Sequence, residues 1–306
     1  MRRIINIVAT LLIFSGLSAQ DVPYIHSVDQ YLNNGLIINP AYAGSRDVLS
    51  GTLMHRSQWI GFEGAPVSQI LAIHSPLKND KIGLGLMIDN FSIPSVQYNS
   101  FYFQYAYRIR VGGNSRLSFG LKAGGYVYKE KLDDLNLYDP VSGDPAFTPR
   151  SGFAPNFGAG LYLYNNKKYF LGLAVPFLMS QNDTAKIAFD LGSYHYIFTA
   201  GYVFRFGENL KMKPVAFIDY NKYFISYQFA NHFILFREEK LWLGAAYKSN
   251  KDLTMMLEVQ LNPALKIGYA YDHSFSEIAK FSNGSHELML RYELRYKANV
   301  DNPFYF

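Results

Sequence analysis

The chain has 306 residues, 49% of them hydrophobic, with 25 Tyr, 24 Phe, 17% charged residues and no cysteine. Lack of cysteine excludes disulfide frameworks, zinc–thiolate sites and cysteine nucleophiles, and the apolar content excludes collagen-like and disordered classes. The formal charge of +5 comes without a Lys/Arg-rich run in the body of the chain, so no nucleic-acid partner is expected.

Residues 1–19 read as a secretory signal peptide. Arg2 and Arg3 form a basic start, Ile4 to Phe14 is mostly apolar, and Ser15-Gly16-Leu17-Ser18-Ala19-Gln20 supplies small residues for cleavage. The apolar run is about half the ~20 residues that a membrane-spanning helix needs. Losing the two arginines lowers the formal charge from +5 to +3. Residues 20–48 form a second unit. Tyr31 to Arg46 is turn-rich with apolar insertions, too broken for a strand and too apolar to hang in solvent. It is expected to pack against the remainder of the chain, as an N-terminal plug or a cap at the periplasmic mouth.

The third unit, 49–306, has no apolar run long enough for a spanning helix and instead alternates with period two in blocks of about ten residues. Ile82, Leu84, Leu86 and Ile88 alternate with Gly83, Gly85, Met87 and Asp89; Phe119, Leu121 and Ala123 alternate with Ser118, Gly120, Lys122 and Gly124. Leu253, Met255, Leu257 and Val259 alternate with Thr254, Met256, Glu258 and Gln260; Leu288, Leu290, Tyr292 and Leu294 alternate with Glu287, Arg291, Glu293 and Arg295. Successive strand side chains point to opposite faces, so each block has one apolar and one small or charged face.

A soluble antiparallel sandwich also alternates. Three features favour a membrane barrel. The polar faces repeat Gly, Lys, Glu and Arg, as a lumen would. The apolar faces end in aromatic pairs such as Tyr126 and Tyr128, Tyr202 and Phe204, Tyr269 and Tyr271, or Tyr292 and Tyr296, as interfacial girdles do. The blocks also exceed the ~5–6 residues of an average soluble strand. The fold class is therefore all-β: a transmembrane antiparallel β-barrel of about fourteen strands with a short N-terminal plug or cap segment. The strands are expected at 49–60, 67–75, 82–91, 98–109, 115–129, 154–165, 168–178, 194–206, 212–220, 223–235, 240–248, 252–262, 264–273 and 285–297. With both termini periplasmic, the three longest connections, Glu130–Phe153, Met179–Ser193 and His273–Gly284, all fall on the extracellular side.

No catalytic constellation emerges, so the chain is read as a non-enzyme with no cofactor and no metal. The seven histidines, His26, His55, His74, His195, His232, His273 and His286, are scattered, with no HExxH, P-loop or GxSxG. The aspartates of the loop from Asp133 to Asp144 do not follow the spacing of a calcium loop. His286 and Glu287 are adjacent in a strand, point to opposite faces and cannot form a dyad.

Asn39-Pro40-Ala41-Tyr42-Ala43-Gly44, followed by Arg56-Ser57-Gln58-Trp59-Ile60-Gly61-Phe62 and Gly64-Ala65-Pro66, resembles the opening of the PorP/SprF family. Asp139-Pro140, Gly158-Ala159-Gly160-Leu161-Tyr162 and Gly284-Ser285-His286-Glu287-Leu288 add shorter matches, so the resemblance spans essentially the whole exported chain. It implies an outer-membrane component of the type IX secretion and gliding machinery of Bacteroidota. Its implied partners are a secreted adhesin or other passenger with a C-terminal sorting domain, and periplasmic ring or lipoprotein components of the machine. The residues that stand out as a partner-binding or mouth-and-plug motif are Asn39, Pro40, Tyr42, Gly44, Arg56, Gln58, Trp59, Gly61, Asp139, Pro140, His286 and Glu287. The alternative is a passive outer-membrane channel for small hydrophobic solutes, like fatty-acid transporters with N-terminal plugs.

Overall fold

The computed structural model describes residues 34–77, 80–131, 148–165, 167–181, 187–188 and 194–294. The expected signal peptide, residues 20–33, Asp139, Pro140 and Tyr296 lie outside the described residues.

Fourteen antiparallel strands close into a barrel: β1 (Leu49–Ser57), β2 (Val67–Pro76), β3 (Ile82–Ile93), β4 (Val96–Gly112), β5 (Ser115–Glu130), β6 (Arg150–Asn165), β7 (Tyr169–Val175), β8 (Tyr196–Tyr202 continued by Phe204–Phe206), β9 (Leu210–Tyr220), β10 (Ile225–Leu235), β11 (Leu241–Lys248), β12 (Asp252–Asn262), β13 (Leu265–Ser274) and β14 (Ser285–Leu294). Both pieces of β8 pair with β9, so they count as one strand. Every strand pairs with its neighbours in chain order, and β14 returns to β1 from Leu49↔Leu294 to Ser57↔His286. That closure leaves no edge strand, as hydrocarbon requires of any backbone crossing it.

The two faces fall as the alternation predicts. Leu53, Leu121, Leu173, Leu257 and Leu290 are 42–62% exposed on the outside. Ser118, Lys122, Lys213, Glu258, Lys266, Glu287 and Arg291 are at most 4% exposed on the inside. In water such a shell of exposed leucine and phenylalanine would aggregate; against acyl chains it is the correct surface.

The connections divide by end. At the end where β1 starts and β14 finishes, the turns are short, and Gly113 and Gly207 take positive φ there. The long connections β5–β6, β7–β8 and β13–β14 all lie at the other, loop-bearing end, together with β1–β2.

The expected boundaries shift in places for identifiable reasons. β1 stops at Ser57 because Trp59 turns the chain with a φ of 42°. β7 stops at Val175, where Pro176 cannot donate to the ladder. β4, β5 and β6 have 17, 16 and 16 residues, more than the ~9–11 that cross a bilayer, so they project beyond it. One assignment is corrected. Tyr126 and Tyr128 share the inward parity of Lys122, and Tyr126 packs edge-on to Tyr98, 5.8 Å between ring centroids. They line the inner wall of the projecting mouth and belong to no outer girdle.

Lysine at Leu257 or Leu290 should therefore cost ~2–4 kcal/mol near mid-depth. Urea unfolding from lipid vesicles measures this, and an unchanged midpoint at both positions would mean that the faces are inverted.

Candidate functional site

Residues 34–48 enter the half of the lumen nearest the short turns. Two 3₁₀ turns, Gly35–Ile37 and Pro40–Tyr42, carry the segment, and Leu36, Ala41 and Tyr42 are at most 2% exposed. Asn39 organises the second turn. Its Oδ1 accepts from the Ala41 amide (2.9 Å), while its Nδ2 donates to the carbonyls of Leu161 (2.9 Å) and Leu173 (3.4 Å). Pro40 suits the first position of that turn, where an amide would find no partner. Tyr42 packs edge-on between His74 (5.2 Å) and Tyr162 (5.6 Å). Gly44 has a φ of +74° that other residues rarely adopt, and its amide donates to His74 Nδ1 at 3.0 Å.

The barrel wall supplies the rest. The Arg108 guanidinium donates to the Gly44 carbonyl and to Asp47 (3.0 Å), Asp47 also pairs with Arg116 (2.5 Å), and Arg46 pairs with Glu293. Gln104 donates to the Leu36 carbonyl at 3.1 Å. Glycines make the seat. A Cβ at Gly83 would strike the Ala43 carbonyl, one at Gly120 the Ala41 backbone, and one at Gly160 the Asn39 side chain. On lumen-facing positions these three residues let the plug backbone lie directly on the wall.

Opposite the plug, the lumen is filled by charge. Lys266 pairs with Glu258 at 3.0 Å and lies 3.4 Å from the centroid of the Trp242 ring, whose indole N–H donates to the Glu239 carbonyl at 2.9 Å. Lys213 lies 5.6 Å from the same ring centroid, and His232 stands 3.8 Å from Glu258. Nearer the loops, Lys122 is sandwiched between Tyr102 (4.2 Å) and Phe177 (4.1 Å). Phe177 is carried inward by the chain after β7. Asn156 latches that chain, accepting from the amides of Leu178 (3.1 Å) and Met179 (3.3 Å) and donating to the Met179 carbonyl (2.8 Å).

A second ion network lies at the loop-bearing end. Arg56 on β1 reaches Asp272 (2.5 Å) and Glu287 (3.5 Å), and Asp272 also receives Lys248 (2.9 Å) and the Thr254 hydroxyl (2.5 Å). Above it the β1–β2 connection docks on the β13–β14 connection. The Trp59 amide donates to Ser285 Oγ (3.1 Å), and two backbone bonds tie Ile60 to Gly284 (2.8 Å) and Asn283 (2.7 Å). Gln58 is 7% exposed and its amide donates to the Pro66 carbonyl, while Gly61 turns with a φ of 93°. Ile60 and Phe62 stay exposed on this rim.

The residues singled out by sequence thus fall into two groups. Asn39, Pro40, Tyr42 and Gly44 form the plug; Arg56, Gln58, Trp59, Gly61 and Glu287 build the rim at the loop-bearing end. His286 belongs to neither: it faces outward, 2.6 Å from the Tyr269 hydroxyl, while Glu287 on the other face is fully buried. Sequence reasoning missed Lys122, Phe177, Asn156 and the Trp242 cluster. The inward parity of Lys122, Trp242, Glu258 and Lys266 was available as a signal; their pairing across strands was not. Among the described residues no group of three His, Asp or Glu is placed to hold a metal ion.

Two substitutions test this construction. Gly120→Leu should expel the plug, so that trypsin cuts at Arg46 in barrels that still run as folded on unheated gels. Continued protection at Arg46 would mean that the seat is unnecessary. Arg56→Ala leaves Asp272 and Glu287 without their shared guanidinium and should cost about 3–5 kcal/mol, with part recovered by adding Glu287→Ala. Chemical unfolding of the single and double variants measures both.

The fold is shared with solved outer-membrane proteins. The Ralstonia pickettii toluene transporter TbuX superposes with a TM-score of 0.53 at 11% identity, over 87% of this chain and 93% of that one. The CymD monoaromatic hydrocarbon channel superposes with a TM-score of 0.50 at 12% identity, over 92% and 95%. At such identities the likeness establishes the fold alone. No curated protein matches the chain. The family model for "Type IX secretion system membrane protein PorP/SprF" matches residues 18–292, which takes in the plug, the rim and nearly every strand. The chain therefore belongs to the PorP/SprF family and is an outer-membrane β-barrel of the type IX secretion system.

Proposed function

We propose that this barrel is a non-catalytic binding component, which holds a secreted adhesin bearing a C-terminal sorting domain at the outer membrane, or helps to translocate it. The observation that carries the reading is the occupied lumen. A conduit needs a wet or apolar path, whereas here, at the short-turn end of the lumen, residues 34–48 pack against one side of the wall and the buried Lys213, Trp242, Glu258 and Lys266 cluster occupies the other side. Buried ion pairs of this kind are costly to open, because separating the partners leaves charges unpaired in a poorly solvated space. The same observation weighs against the alternative of a passive channel for small hydrophobic solutes.

With the lumen occupied, work falls to the two ends. Outer-membrane barrels keep short turns in the periplasm and longer loops outside. We therefore orient the end bearing residues 49 and 294 towards the periplasm, where ring or lipoprotein components of the machine are available. The rim of Trp59, Ile60, Phe62 and the β13–β14 connection then faces the cell exterior. Its backbone bonds and positive-φ residues hold Ile60 and Phe62 exposed in a fixed geometry, which lowers the ordering cost of binding a passenger.

Photocrosslinkers at Ile60 and Phe62 in the native membrane should capture a secreted protein with a C-terminal sorting domain. Planar bilayers containing the purified barrel should show no steady conductance unless residues 34–48 are deleted. A barrel recovered alone, together with hydrocarbon uptake that disappears when its gene is deleted, would overturn the binding role.

A further inference from the structure

The rim at the short-turn end carries its charge unevenly. Along the arc from β4 to β8 stand Arg110, Lys167, Lys168 and Arg205, and the turns of that arc, 111–114 and 166–168, contain no acid. Arg110, Lys168 and Arg205 are exposed and share the inward parity of Arg108, Phe170 and Val203, so they border the mouth and not the bilayer. Register places like charges face to face at both ends of the arc: Arg110 lies opposite Arg116, and Arg205 opposite Lys211. Directly opposed like charges on one face of a sheet repel. One member of each pair is answered, Arg116 by Asp47 at 2.5 Å and Lys211 by Glu239. Arg110 and Arg205 make no ion pair among the described residues, and Arg205 only donates to the Lys167 carbonyl at 3.4 Å.

The other acids of this end are committed elsewhere. Glu208 pairs with Arg237 (3.7 Å), Glu238 with Lys240 and Glu293 with Arg46, while Asp80 lies beyond β4 beside Lys81. The turns stand clear of the wall: a Cβ at Gly112, Gly113 or Gly207 would meet nothing within 4 Å. Val111, near the end of β4, is 49% exposed. At ~4.8 Å per strand, the arc from β4 to β8 spans roughly 20 Å. One phosphate or carboxylate can settle between two neighbouring cations, as Asp47 does between Arg108 and Arg116, but it cannot reach both ends of the arc. Several negative charges held at that spacing belong to a folded surface.

We infer that this basic arc docks an acidic face of a periplasmic protein, whose carboxylates enter between Arg110 and Arg116 and between Arg205 and Lys211. The inference rests on the orientation given above, with the short turns in the periplasm, and it assigns the chemistry by which a machine component recognises this barrel. Complementary charge of this kind steers encounter and fixes register, and salt weakens it. Phospholipid headgroups are not the match, because the inward parity of these cations carries them over the mouth, where residues 34–48 enter.

A photocrosslinker at Val111 in the native membrane, with mass spectrometry of the adduct, should identify an acidic segment of a periplasmic protein. Arg110→Gln/Lys168→Gln/Arg205→Gln should lower the adduct roughly tenfold or more, whereas Arg110→Lys/Arg205→Lys, which keeps the charge, should retain it. The acidic protein so identified, once purified, should bind the full-length barrel in nanodiscs more weakly in high salt than in low salt. Mobility on unheated gels confirms that each variant is folded. No adduct, an adduct with a neutral or basic segment, with phospholipid alone or with peptidoglycan, an undiminished adduct in the Gln variant, or salt-independent binding would each overturn the assignment. The orientation is read separately. Asn114→Cys, which gives the chain its only thiol, should resist a membrane-impermeant maleimide on intact cells, and labelling there would overturn the orientation itself. Capture of a passenger at Ile60 and Phe62 bears on neither outcome.

Discussion

The pairing of Leu49–Ser57 with Ser285–Leu294 is the constraint on which the rest of the molecule depends. A strand crossing hydrocarbon must satisfy every amide and carbonyl within the sheet, and only closure does this for the first and last strands. Closure then fixes everything else by parity. Once β14 sits beside β1, Arg56 stands opposite Glu287, and the alternation along every strand sorts side chains into a lipid face and a lumen face. A one-residue slip at this seam would turn Arg291 and Glu287 into the membrane and bring Leu288 and Leu290 inside.

Inside, the same alternation creates a difficulty that the plug resolves. The lumen-facing positions carry Arg108, Arg116, Lys213, Lys266, Arg291, Glu258 and Glu293, too many charges for a narrow interior to leave unpaired. Part of the balance comes from within the wall, as in Lys266 with Glu258. Part comes from outside it: Asp47 of the plug stands between Arg108 and Arg116, and Arg46 of the plug answers Glu293. The plug is thus an electrostatic member of the core as well as a steric one, which is why its removal would disturb the wall and not merely open a path.

Much of this was readable from the chain. Period-two alternation specified the barrel, the fourteen strands, both faces and the side on which long loops gather, because lipid imposes the same rule on each strand independently. The broken apolar stretch before β1 marked the plug for a similar reason: Leu36, Ile37 and Ile38 needed cover. Three things were not readable. Strand ends shifted where Trp59 and Pro176 imposed backbone limits that hydropathy does not record. Tyr126 and Tyr128 looked like a girdle because aromatic pairs serve a wet mouth as well as an interface, and only the extra length of β4 to β6 distinguishes the two. Pairing across strands, such as Arg56 with Glu287, depends on the stagger of the closed sheet, and nothing local in the sequence specifies it.

Small residues link the inner and outer surfaces. Gly83, Gly120 and Gly160 occupy positions where alternation asks only for something other than a large apolar side chain, and a polar residue would satisfy that rule equally. Glycine is required because the plug backbone needs contact distance to the wall. Gly120 and Gly160 also line a depression of the outer surface between Tyr105 and Tyr220, so the two glycines that seat the plug are thin points of the wall seen from both sides. The inner demand for contact distance thus also sets how little side chain the wall carries there, and a larger residue at either position would meet the plug before it met the bilayer.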